Sequence, residues 1–289
     1  MGFKIILTRL KNIFDIDDVG NRWGVRILFA FIVIINCAVH FNPYADTNFD
    51  ALFSWAEKVQ ASENADSVDL SLMVVPLTEG NRIFILTALL AIFITLMASF
   101  LYSGLYIKAY REKRQKLKAF GEPIKGSKLA LRMLLLTIYC LTVAVPFALF
   151  FGSFMVLAVL AIPFIFVMPS AYLSGDFSLF ASVPNSVTRT KGYYMERWRG
   201  ILLILSVFFL LDYPISMVAA FSTTAYYILD SAFGCWIILS FARFAASSYT
   251  RMMVGRQWRK MQLPGLIFNE IDEDEDKTVN MNEDTDKEE

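Results

Sequence analysis

Asp212 is the residue of this chain best placed to do chemistry, because it interrupts an uncharged run, Leu210-Leu211-Asp212-Tyr213-Pro214. A carboxylate surrounded by hydrocarbon is costly and marks ion or proton pathways. Pro214 removes a backbone donor and leaves a carbonyl free one turn earlier. A polar side chain beside such a break is how transporters build midplane sites. Asp212 also has an architectural reading. Protonated, or bonded to a neighbouring hydroxyl such as that of Tyr213, it would hold helices together. Asp230 and Arg243 flank the next apolar run. On one helix they stand about 20 Å apart and cannot pair with each other. Asp230 is expected to start its helix near the outer surface, and Arg243 to snorkel to the cytoplasmic interface.

Other chemistry is excluded by what is missing. His40 is the single histidine, which removes zinc sites built on several histidines and most histidine acid–base pairs. Cys37, Cys140 and Cys235 are dispersed in apolar stretches, so they form no disulfide framework and no CxxC metal signature. They read as small hydrophobes. No GxxxxGK[ST], HExxH, GxSxG or DxDxDG pattern occurs, which disfavours an ATPase or a familiar hydrolase. No catalytic residue, no cofactor and no metal ligand is expected.

The elements that must position these charges are membrane helices. Of 289 residues, 56% are hydrophobic and 19% charged, with a mean hydropathy of +0.49. Soluble domains carry about 25% charge. Six apolar stretches predict an all-α, polytopic bundle of six transmembrane helices, with spans about 25–41, 83–107, 133–151, 153–172, 200–222 and 225–246. Met133 to Gly175 holds no charge. As one straight helix it would reach roughly 65 Å, about twice the hydrocarbon thickness. Two helices are expected, with a tight turn near Phe151-Gly152-Ser153.

Lysine and arginine set the orientation. Residues 1–26, 108–132, 189–199 and 243–260 carry 23 of them, whereas the connections on the other side carry only Lys58 and Arg82. The positive-inside rule therefore predicts both termini in the cytoplasm. An odd number of spans would break this alternation. With some two dozen residues before the first span and no A-x-A-like cleavage site after it, a removed signal peptide is not expected.

Outside the 25–246 transmembrane domain the chain is amphipathic or charged. Residues 1–24 place Phe3, Ile6, Leu7, Leu10, Ile13 and Phe14 on one face, as an interfacial helix or an extension of span one. In the outer loop 42–82, Phe49, Leu52, Phe53, Ala56 and Val59 make a second amphipathic stripe. The linker 108–132 is basic enough to attract anionic headgroups, with Lys108, Arg111, Lys113, Arg114, Lys116 and Lys118 as candidate contacts. Residues 247–269 form a basic cytoplasmic segment. Residues 270–289 hold eleven acidic residues against Lys277 and Lys287 and are expected to be a disordered tail. Nucleic-acid binding is not expected, since the basic residues hug the bilayer.

Pro169-Ser-Ala-Tyr-Leu-Ser-Gly-Asp-Phe-Ser-Leu-Phe-Ala-Ser, followed by Ser186, Thr190-Lys191-Gly192 and Arg197-Trp198, resembles a segment of uncharacterised bacterial six-helix membrane proteins. These are related to the membrane domain of glycerophosphoryl diester phosphodiesterases. The resemblance covers about 83–245 and implies a kinked span leading into a short cytoplasmic helix, with Ser178 as its N-cap and Gly192 just past its end. Pro184 departs from the pattern and should kink or shorten that helix. The resemblance implies a bacterial plasma-membrane protein without established catalysis, and the phosphodiesterase domain itself is absent.

The expected function is that of a non-enzymatic accessory, assembly or envelope-maintenance factor. The alternative is a small transporter or lipid-handling permease centred on Asp212. Expected partners are membrane lipids and either a membrane protein or a second copy of the chain.

Overall fold

A computed structural model describes residues 13–17, 22–62, 75–114, 125–190 and 192–261. The described residues are helical, without strands. The helices are α1 (Arg22–His40), α2 (Asp50–Ser62), α3 (Glu79–Arg114), α4 (Gly126–Ile165), α5 (Met168–Leu173), α6 (Leu179–Thr190), α7 (Tyr194–Met217) and α8 (Thr223–Met261), with a 3₁₀ turn at Val218–Ala220. Most of the N-terminal amphipathic stretch, Lys116, Lys118 and the acidic tail lie outside the described residues.

Among the described residues, five helices are long and apolar enough to cross a membrane: Arg22–His40, Glu79–Glu112, Gly126–Val143, Tyr194–Ala220 and Thr223–Met252. Large apolar side chains cover their outer faces, among them Ile27 and Ile34 on α1, Leu86 and Leu90 on α3, and Phe209 and Leu210 on α7. In water such a surface would be untenable; in lipid it is the ordinary exterior.

Helix α8 is the hub. Against α1 and α3 it buries Cys235 and Leu239 with Val25, Ile32, Ala98 and Tyr102. Against α7 it buries Phe233 and Ile237 with Ile204. Polar bonds join the same helices: Asn36 Nδ2 donates to Thr95 Oγ1 at 2.9 Å, and Ser103 Oγ to the Ala242 carbonyl at 3.1 Å. Where hydrocarbon surrounds the bundle, apolar burial discriminates little between partners, so small residues and such bonds select the pairing.

At the other end of α3, Thr78 Oγ1 accepts from the Asn81 N–H at 3.1 Å while Asn81 Oδ1 accepts from the Thr78 N–H at 3.3 Å. This reciprocal pair caps the helix start. Asn81 Nδ2 also donates to the carbonyls of Asp46 and Asn48, both at 2.9 Å, so the connection leading into α2 is stapled to α3. The expected amphipathic helix of the outer loop is α2, seated by the Phe49 ring 5.9 Å from that of Phe84.

Helix α4 departs from expectation. Its helical assignment runs from Gly126 to Ile165 without the break anticipated at 151–153. A lone glycine costs a helix only about 1 kcal/mol, whereas leaving helical bonding inside lipid strands donors and acceptors. Yet α4 cannot be straight. Arg132 near its start bonds the carbonyl of Tyr172, although 33 helical residues separate Arg132 from Ile165, roughly 50 Å on a straight axis. The seven residues from Ile165 to Tyr172 span at most about 25 Å. The axis therefore bends strongly along its length, in a stretch containing Pro146 and Gly152-Ser153, residue types at which sharp bends occur. Helix α8 likewise continues through Met261, so the basic segment begins as an extension of the last span.

Candidate functional site

The densest polar cluster among the described residues surrounds the turn Ser174-Gly175-Asp176. Helix α5 ends there because Gly175 takes φ +90°, a conformation open to glycine at little cost. The turn is clamped from three sides. From α3, Arg111 Nη1 donates to the Ser174 carbonyl at 2.9 Å and Nη2 to Asp176 Oδ2 at 2.5 Å. From α4, Arg132 Nη1 donates to the carbonyls of Tyr172 and Phe177, with its guanidinium 4.8 Å from the Tyr172 ring centre. From α8, the Tyr249 hydroxyl lies 3.0 Å from Ser174 Oγ and 3.3 Å from Asp176 Oδ2. Two of the carbonyls held by the arginines, those of Tyr172 and Ser174, belong to the C-terminal end of α5, where acceptors lack full intrahelical pairing; that of Phe177 lies beyond the turn. Around this clasp pack Met168, Tyr172 and Leu173 against Leu129, Met133 and Leu136.

The next helix docks through hydroxyls. Ser178 caps α6 by accepting from the Ala181 N–H at 3.4 Å, and Gly192 beyond its end takes φ +102°. Between them Ser182, Ser186 and Thr190 recur every four residues and are all buried. Ser186 Oγ donates to the Phe164 carbonyl and Thr190 Oγ1 to that of Pro163 at 3.4 Å. Tyr194 at the start of α7 donates to the Leu160 carbonyl at 3.1 Å. The polar stripe of α6 thus closes the end of α4, and the opposite face carries Phe180, 82% exposed. Pro184 does not shorten the helix, which runs the full Leu179–Thr190, and it sits on the exposed side.

The structure relocates several expected residues. Arg111 is not a headgroup contact: it is 4% exposed and committed to the clasp. Charge runs along the sequence do not show helical phase, but Arg111 follows buried Ser103 and Ile107 at four-residue steps and so falls on the inward stripe. Lys108 remains on the surface beside Glu112, 3.7 Å away. Lys113 and Arg114 continue α3 as helix, and their side chains lie outside the described set. Arg243 does not snorkel: it is 5% exposed, with its guanidinium 5.8 Å from the Tyr106 ring centre, because it occupies the α3-facing side of the hub helix.

Asp230 on α8 lies within electrostatic reach of Asp212 on α7 and of His40 on α1, and His40 stacks on Tyr227 with ring centres 4.5 Å apart. Asp212 is half-buried and stands beyond the midpoint of the span Tyr194–Ala220. Among the described residues no group of three or more His, Cys, Asp or Glu side chains could hold a metal ion. In the clasp the Asp176 carboxylate is held by the Arg111 guanidinium, and the Ser174 hydroxyl lies 2.7 Å from the Ala171 carbonyl and 3.1 Å from that carboxylate.

Asp176, Arg132 and the Ser182/Ser186/Thr190 stripe were missed as a site from sequence, although the four-residue hydroxyl spacing was there to be read. No protein-family model, no curated protein and no solved structure matches this chain.

Proposed function

We propose that this protein is a six-span component of the bacterial plasma membrane, with both termini cytoplasmic, acting without catalysis as an accessory, assembly or envelope-maintenance factor. One observation carries the reading. Among the described residues, an internal clasp of arginines holds the backbone carbonyls of the turn before α6, and the hydroxyl stripe of α6 fixes that helix against α4 with Phe180 outward. A helix held so firmly by its polar face is suited to presenting its other face to a partner. The resemblance to bacterial six-helix membrane proteins favours the same view. The experiment is two-step affinity purification of wild type and Phe180→Asp from native membranes. A stoichiometric membrane partner retained by wild type and lost from the variant is expected. Turnover of a substrate by the protein purified alone would overturn the reading.

A second reading, transport or lipid handling through Asp212, is favoured by the approach of Asp212, Asp230 and His40 on three neighbouring helices. Asp212→Asn separates the two: a transporter loses activity at unchanged expression, whereas an architectural acid shows altered stability or no effect.

A further inference from the structure

We propose that Arg197, together with the N-terminal turn of α7, binds a phosphate group, either that of an anionic phospholipid headgroup or a soluble one. Arg197 is 4% exposed, and its Nε and Nη1 are sealed from solvent without a hydrogen-bond partner. A phosphate would meet Nη2 first, the one guanidinium nitrogen outside that sealed set, and would engage Nε or Nη1 only after a shift of the side chain. A buried guanidinium with unmet donors is expensive. Its fork of donors matches the oxygens of a phosphate.

Arg197 is the fourth residue of α7, close to the helix start. Side chains on a helix lean toward its N-terminus, and Arg197 lies in the first turns of α7, within electrostatic reach of the cap residue Tyr193. No side chain caps this helix. The first intrahelical bond runs from the Arg197 N–H to the Tyr193 carbonyl at 3.0 Å. The N–H groups of Tyr194, Met195 and Glu196 precede it and point out of the helix, where the dipole favours an anion. The facing charges are Glu196 and Arg251, paired with each other at 4.0 Å, so the acid does not stand alone against an anion. Tyr193 packs into the cluster containing Tyr249 and Met252, which places the site at the clasp end of the bundle. Arg199, two residues on in α7, adds to the positive charge of this helix start.

The test uses full-length protein in nanodiscs of phosphatidylcholine, titrated with phosphatidylglycerol in one arm and with inorganic phosphate in the other, reading the unfolding temperature. Wild type is expected to gain stability in one arm, which identifies the source of the phosphate. Arg197→Met should lose that response. Arg197→Lys, which keeps the charge without the fork, should need about tenfold more ligand. Lys108→Met, which removes an exposed charge, should respond as wild type does. If Arg197→Met does not fold, the wild-type and lysine titrations decide alone. No gain in either arm, or an equal gain in wild type and the Arg197 variants, overturns the proposal.

Discussion

Arg111 and Asp176 lie 65 positions apart in the chain, yet the Arg111 Nη2 hydrogen bonds Asp176 Oδ2 at 2.5 Å. Arg111 is almost wholly buried, whereas the Asp176 side chain keeps 28% exposure. The pair joins the end of α3 to the turn that launches α6, and Tyr249 of α8 meets the same carboxylate oxygen. Three helices therefore share one anchor.

Removing either partner strands the other. Arg111→Met and Asp176→Asn are each expected to lower stability by about 2–3 kcal/mol, below the cost for a fully buried pair because the carboxylate retains solvent contact. The double variant should cost less than the sum of the two. Thermal unfolding of the four proteins in one detergent checks this, and strict additivity would refute a shared interaction.

The docking of α6 should depend on single hydroxyls. Ser186→Ala leaves the Phe164 carbonyl without its donor and is expected to cost about 1 kcal/mol. Thr188→Ala, on the exposed face, should cost little. Limited proteolysis of the 178–199 segment, compared between the two variants, gives the readout.

Gly192 has open space where a side chain would begin, so its role is purely one of backbone conformation. Gly192→Ala should cost about 1 kcal/mol through the positive φ alone. A substitution without effect on melting temperature would show that this turn adopts another conformation.

Within the apolar part of the bundle, Asn36 bonds Thr95 between α1 and α3. Asn36→Leu is expected to lose only about 0.6 kcal/mol, since polar contacts between membrane helices are individually modest. A loss of several kcal/mol, measured by denaturant titration in micelles, would assign Asn36 a larger role.

The proposed six-span topology with both termini inside predicts that single cysteines near positions 60 and 120, introduced after replacing Cys37, Cys140 and Cys235, react with impermeant reagent from opposite sides of the membrane. Labelling of both from one side would remove the orientation and the proposals that rest on it.

Hydropathy and charge are summed along the chain, so they were legible without a fold. The helical class, the long α1, α3, α7 and α8, the amphipathic α2, the Ser178 cap and the Gly192 stop all follow from local residue type and spacing, because lipid forces each apolar segment to satisfy its own backbone. The tertiary structure alone decided which polar side chains meet. Arg111 left the basic linker for the clasp and Arg243 turned inward on α8, because rotation about each helix axis and contacts between distant segments have no trace in a linear charge count. The same holds for α4. Composition shows that it is too long to lie straight across a bilayer, but only the bonding of Arg132 to the Tyr172 carbonyl shows that its axis must bend.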